Sequence, residues 1–233
     1  MVKFRSKSIP PRKAECEALE DQNNLTMEDF SNIIRKLEMK YRKLIQFILE
    51  DLNVKNYSEV LEIGPGPGWI GIWMAQENPT LNITGLELSE DMIRVANKNK
   101  IEENVQSRVQ YVKGNAENMD LFTDNSFNVV FSNGSLHHWV NPENVFNEIS
   151  RVLKPNGVFC ITDGKRNLKF KAKLKFHILK FTIPKFLRIG WRNSIMASYT
   201  KEEIGEILDN TDLKGMYKLK ADMQNLIIYN SNT

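Results

Sequence analysis

Apolar residues in this chain follow two alternating periods. Strand-length runs occur at Val60 to Ile63, Leu81 to Glu87, Val109 to Lys113, Asn128 to Phe131 and Val158 to Thr162. Between them lie stretches that suit helices: Trp69 to Glu77, ended by Asn78-Pro79; a segment capped by Ser89 with Met92, Ile93, Val95 and Ala96 on one face, running to about Lys100; and Pro142 to Leu153, broken by Lys154-Pro155-Asn156-Gly157. Strand and helix taking turns in this way predict an α/β protein with a largely parallel sheet. Upstream, Thr26 and Asp29 stand at capping-box spacing before Phe30, Ile33, Ile34, Leu37, Tyr41, Leu44, Ile45, Ile48 and Leu52, which keep a 3.6-residue rhythm. The spacing predicts one long amphipathic helix or two joined near Lys40, after an irregular start over residues 1–25. At the other end, Thr200 and Glu203 open a helix through Leu208, and Gly215 to Lys220 and Leu226 to Asn230 read as two closing strands.

The first strand stops at Gly64, Pro65, Gly66, Pro67 and Gly68, and a helix follows at once. Glycines here allow positive φ and close backbone approach, and a helix opening after such a turn presents unpaired N–H groups. A dinucleotide fingerprint, G-x-G-x-x-G, would need glycine at 69, where the chain has Trp69. The next strand ends in Glu87, 19 residues after Gly68, with Leu88 beside it. An acid at that distance, beyond the carboxyl end of a neighbouring strand, suits ribose hydroxyls.

The pattern E-x-G-x-G-x-G, with Glu62 two residues before Gly64, resembles the first motif of class I S-adenosylmethionine-dependent methyltransferases. Gly114-Asn115-Ala116-Glu117 is similar to the family's G-D-A-E, with Asn115 in place of the acid that meets the adenine amine. The run from Glu117 through Trp139 and the phrase from Arg151 to Arg166 resemble the methyltransferase type-11 pattern shared with ubiquinone and menaquinone biosynthesis enzymes. The resemblance covers Val60 to Arg166. It implies a Rossmann-like doubly wound sheet of seven strands in the order 3-2-1-4-5-7-6, the last antiparallel. Residues 1–52 would form an N-terminal helical extension or lid and residues 53–233 the methyltransferase domain, including a basic insertion at 164–198. It further implies S-adenosyl-L-methionine as cofactor, held by Tyr41, Glu62, Gly64, Pro65, Gly66, Gly68, Glu87, Leu88, Asn115, Ala116, Glu117, Ser132 and Asn133.

Composition bounds the rest. With 233 residues, 41% apolar and 26% charged, one large domain with appendages is expected. The N-terminus has basic residues without an apolar h-region, and no apolar run reaches spanning length. Cys16 and Cys160 stand far apart, near no ligand-like cluster, so a reducing cytoplasm is expected and a metal site is not. The net charge of +3 conceals a segregation: from Gly164 to Lys201 there are eleven Lys or Arg and no acid, leaving 21 basic against 29 acidic residues elsewhere. In that segment, charges interleave with Leu168, Phe170, Leu174, Phe176, Phe181, Phe186 and Trp191. Three readings stand open: a helical lid over the acceptor, a surface resting on anionic lipid, and an RNA-binding patch.

Methyl transfer from a sulfonium is an in-line displacement that needs few acid-base groups. His137 and His138, just after strand four, are the candidate bases. The chain has no G-x-S-x-G turn and no G-x-x-x-x-G-K-[ST] loop, and Ser132-Asn133-Gly134-Ser135 lacks the N-P-P-[YF] text of enzymes that methylate base amines. The expected activity is methylation of a small acceptor, apolar or anionic, with nucleic acid disfavoured. The other readings are a non-catalytic scaffold and an enzyme acting on a macromolecule or membrane lipid.

Overall fold

In a computed structural model, the protein is described at Arg12 and over residues 26–168 and 185–230. Seven strands form one sheet in the order β3-β2-β1-β4-β5-β7-β6. They are β1 (Glu59–Ile63), β2 (Asn82–Glu87), β3 (Val109–Lys113), β4 (Phe127–Asn133), β5 (Leu153–Gly164), β6 (Lys218–Ala221) and β7 (Asn225–Tyr229). Strands β1 to β5 pair in parallel, and β7 runs antiparallel to both β5 and β6, giving the order and direction expected from the sequence. The strand order reverses direction between β1 and β4, where doubly wound sheets open a crevice at their carboxyl ends.

Alternation along the strands divides the core. Val60, Val129, Phe131, Val158 and Cys160 face Ile72, Trp73 and Met74 of α3 (Trp69–Glu77) and the helices before β1. Leu61, Ile63, Val130, Phe159 and Ile161 face Val145, Phe146 and Ile149 of α5 (Pro142–Val152) and Ile204 and Leu208 of α7 (Lys201–Leu208). α4 (Glu90–Glu102) lies beside α3, with Ser89 accepting the Met92 N–H as its cap. Thr200 and Glu203 form the full reciprocal capping box on α7, and Thr26 and Asp29 form another on α1 (Met27–Arg35).

The N-terminal helical stretch breaks earlier than expected. α1 ends at Arg35, α2 spans Glu38–Gln46, and a π-helical turn covers Phe47–Asp51. The joint falls at Lys36-Leu37, a few residues before Lys40, and Ser31 ties α1 to α3 and α4. Its hydroxyl accepts from Trp69 Nε1 at 2.9 Å and from Asn99 Nδ2 at 3.0 Å. A second correction concerns Lys154 to Gly157, which the sequence reads as an interruption between helix and strand. β5 begins at Leu153, immediately after α5, and absorbs the interruption as an irregularity in its pairing with β4, with Asn156 at φ 65°.

α6 (Lys185–Ala197) precedes Tyr199. Residues 1–25 apart from Arg12, Cys16 among them, and the stretch 169–184 of the basic segment lie outside the described residues. Lys165 and Arg166, at the head of that segment, are only 5% and 6% exposed, so neither belongs to a solvated or lipid-facing surface. Arg166 donates to Ser198 O at 2.6 Å and pairs with Glu203. Among the described residues no helix is long and apolar enough to cross a membrane.

Candidate active site

The glycine turn joins β1 to α3 with Gly64, Gly66 and Gly68 all at positive φ, at 66°, 54° and 82°. Each is glycine for a different reason. A Cβ on Gly64 would lie 2.4 Å from Ser135 Oγ, and one on Gly68 would lie 2.1 Å from the hydroxyl of Tyr111. Those two make room for the chain's own side chains. A Cβ on Gly66 would have nothing nearer than Phe30 of α1, at 4.0 Å, so the backbone is approachable there. Gly134 beyond β4, at φ 71°, likewise faces open space.

Two acids serve this turn. Glu62 lies on the α3 side of β1 and is 2% exposed; its Oε2 accepts the Gly71 N–H at 3.1 Å, in the first turn of α3. Burial pushes its carboxyl up to about 8, opposed by the Gly71 N–H and assisted by Glu87. Glu87, at the end of β2, accepts the Gly66 N–H at 2.9 Å through Oε2. Its Oε1 accepts from Leu88 N at 2.9 Å and Ser89 N at 3.0 Å. Pro65 is buried in the turn and Leu88 is exposed at its rim.

The third group follows β3. The side-chain carbonyl of Asn115 accepts the Glu117 N–H at 2.9 Å, making a local turn, and Ala116 is half-buried beside it. The Glu117 carboxylate accepts from Val140 N, Asn141 N and Asn141 Nδ2, which ties this loop to the start of α5 and holds the carboxyl below its usual range. From β4, Ser132 donates to Ile63 O at 2.8 Å, deep between β1 and β4. Asn133 Oδ1 accepts from Thr162. Tyr41 of α2 stacks on Trp73 while its hydroxyl end faces Asn133, combining core packing with a polar end at the site.

His137 and His138 form a short 3₁₀ turn with Leu136 beyond β4, their ring centres 4.0 Å apart. His137 is 7% exposed, and its Nδ1 lies 2.9 Å from each carboxylate oxygen of Asp163 on β5. The outer edge of His138 is exposed. Desolvation of its inner face, with the charges of His137 and Arg12, pushes it down to about 4, while Asp163 opposes that shift. The sequence reading missed Asp163, although an acid at the carboxyl end of a central strand was the available signal. It also missed Arg12, which donates to His137 O at 2.9 Å and to Ala197 O at 2.6 Å and lies 4.2 Å from the Tyr199 ring centre. Among the described residues no three His, Cys, Asp or Glu side chains gather as a metal site.

The residues present fit an adenosine-containing methyl donor: an approachable backbone at Gly66, a carboxylate beside it, and polar side chains across the β1/β4 crevice. A family model described as a methyltransferase domain matches residues 61–161. The demethylmenaquinone methyltransferase of Listeria welshimeri is 29% identical over 186 residues, covering 78% of this chain and 76% of its own length. That of Lactobacillus johnsonii is 28% identical over 182 residues, covering 78% and 74%. Among solved structures, a putative S-adenosyl-L-methionine-dependent methyltransferase from Methanococcus maripaludis superposes with a TM-score of 0.68 at 22% identity, over 92% of this chain and 96% of that one. The plantazolicin methyltransferase BamL, in complex with a desmethyl substrate analogue and S-adenosylhomocysteine, gives 0.65 at 17% identity, over 87% and 86%. The sheet order and the matched domain are those of Rossmann-like methyl-transferring enzymes. Residues 61–161 match a methyltransferase domain, and with these relatives they indicate an S-adenosylmethionine-dependent methyltransferase built on the class I fold.

Proposed function

We propose that this enzyme methylates a small acceptor, apolar or anionic, in the cytoplasm, and that the residues gathered around the glycine turn hold its cofactor. Gly66 lets the cofactor approach the backbone, and Gly64 and Gly68, with Pro65, shape the turn. Glu87 takes the ribose hydroxyls on the lone pairs its three backbone contacts leave available. Leu88, Asn115, Ala116 and the backbone of Glu117 border the adenine. Glu62 fixes the head of α3, and Tyr41, Ser132 and Asn133 line the crevice towards the transferred methyl. The helices between residues 26 and 52 serve as an extension over the site, and the catalytic domain runs from residue 53. The cofactor supplies an electrophilic methyl group when bound; the chain aligns the acceptor and excludes water.

The observation that carries this reading is the Glu87–Gly66 contact, which sets a carboxylate beside the one glycine of the turn that faces open space. The relatives named for demethylmenaquinone support a small acceptor of that kind. Buried Cys160, whose thiol is pushed up to about 12 by burial, fits a reducing compartment. Contact with an anionic membrane surface rests on the charge segregation from Gly164 to Lys201, without Lys165 and Arg166, which are buried. Isothermal titration with S-adenosylhomocysteine tests the cofactor assignment, and transfer of labelled methyl to reduced demethylmenaquinone tests the acceptor class. Absence of cofactor binding by pure protein would refute the first. Tight binding without transfer to any small acceptor would favour a scaffold.

A further inference from the structure

Three consecutive residues of the glycine turn are each held by a side chain from a different element. Glu87 of β2 accepts the Gly66 N–H, Asn99 of α4 donates from Nδ2 to Pro67 O at 2.8 Å, and the hydroxyl of Tyr111 on β3 donates to Gly68 O at 3.1 Å. To reach Gly68, which lies beyond β1, the Tyr111 ring must cross β2. The sequence clears that path. Gly85 of β2 pairs in register with Tyr111, and a Cβ on it would lie 2.5 Å from Tyr111 Cδ1 and 2.9 Å from Pro65 Cγ. Burial and the charge of Glu62 push the tyrosine hydroxyl above its ordinary range, so it stays protonated and able to donate. Gly68 O also accepts the Ile72 N–H at 3.0 Å, so α3 has its first bond without the tyrosine. The hydroxyl therefore adds a tie to the turn that the helix itself does not require.

We propose that Tyr111 is a positioning residue for the cofactor, fixing the Gly68 carbonyl, as Asn99 fixes that of Pro67, so that the turn is set before any ligand arrives. The inference rests on the cofactor reading above. Glycine loses more backbone freedom on ordering than any other residue, and three glycines within five positions make this loop costly to order at the moment of binding. A turn ordered in advance avoids that cost. Apparent affinity scales with the fraction of molecules whose turn is already competent, so a residue that never touches the cofactor can still set how tightly it is held. Asn99 serves two structures at once, because its Nδ2 also donates to Ser31 Oγ of α1 at 3.0 Å. Replacing it would unsettle α1 along with the turn. The Tyr111 hydroxyl isolates the contribution of the turn alone.

Gly66 and Gly68 are the two glycines that follow a proline in this sequence, so full-length protein labelled at proline carbonyl carbon and glycine nitrogen yields one backbone signal for each. Free wild type is expected to show a single pair of signals. Free Tyr111→Phe is expected to show a second pair as well, and its affinity for S-adenosylhomocysteine, by calorimetry, to fall about three- to tenfold. The share of the original pair should match the fraction of affinity retained, and saturating ligand should restore one pair. Val152→Ala, which truncates a fully buried side chain on the other face of the sheet, should lower the thermal midpoint while leaving signals and affinity as in wild type. Several pairs in free wild type would overturn the inference without any variant. Wild-type affinity in Tyr111→Phe, affinity lost without a second pair, or the same response in Val152→Ala would overturn it too. Failure of wild type to bind S-adenosylhomocysteine would instead strike the underlying cofactor reading, with the free-protein signals still reporting whether the turn is set.

Discussion

The Glu87 carboxylate accepts the Gly66 N–H across 2.9 Å, so the acid expected to meet a ribose also closes the glycine turn from the neighbouring strand. Loop and acid are therefore one unit. Glu87→Ala is expected to weaken S-adenosylhomocysteine binding by about tenfold or more, since a charge-assisted hydrogen bond is lost along with the turn's tie. Glu87→Gln, which can still accept the Gly66 N–H, should lose less. Calorimetry on both variants checks the order.

Gly64 predicts a repairable defect. Gly64→Ala places a Cβ in contact with Ser135 Oγ at a backbone conformation that disfavours side chains, for a cost of about 1–3 kcal/mol. Adding Ser135→Gly removes the collision but not the backbone strain. The double variant should recover part of the loss in urea titrations, and additive losses would contradict the packing argument.

Glu62 predicts the pH dependence of stability. Its carboxyl is held at about 8 in the folded protein, against an ordinary value of 4.5, so between those limits the folded state keeps a proton that the unfolded chain releases. Stability from this group is present below about pH 4.5 and falls as pH rises towards 8, by at most about 1.4 kcal/mol per pH unit. Glu62→Gln retains an acceptor for Gly71 and should flatten that slope. Denaturation midpoints across this range decide it.

The local grammar of the fold was legible. The Trp69–Glu77 helix, the Ser89 cap and the Thr200–Glu203 box depend on residues within a few positions of one another, and sequence reading placed all three. What it missed depends on distant partners. The break at Lys36-Leu37 accompanies the tie from Ser31 to Trp69, 38 residues away, and the pairing of His137 with Asp163 spans 26 residues. The glycines illustrate the limit well: their positions were readable, but not that Ser135 and Tyr111 fill the space at two of them.

Arg166 shows how charge counts mislead when burial is unknown. Its side chain is 2% exposed and Glu203's is 39% exposed, so removing the guanidinium leaves a carboxylate that water can reach and a Ser198 carbonyl without this donor. Arg166→Met is expected to cost about 1–3 kcal/mol, read as a lowered thermal midpoint. A midpoint unchanged from wild type would assign the pair no stabilising part.

The sheet's far margin, β6, is four residues long and reads Lys218-Leu219-Lys220-Ala221. A short rim carrying alternate ammonium groups is a poor template for another chain's backbone. Self-association through stacked strands is thereby discouraged on that flank, and crowded copies of the enzyme should resist fibril growth there even at high expression.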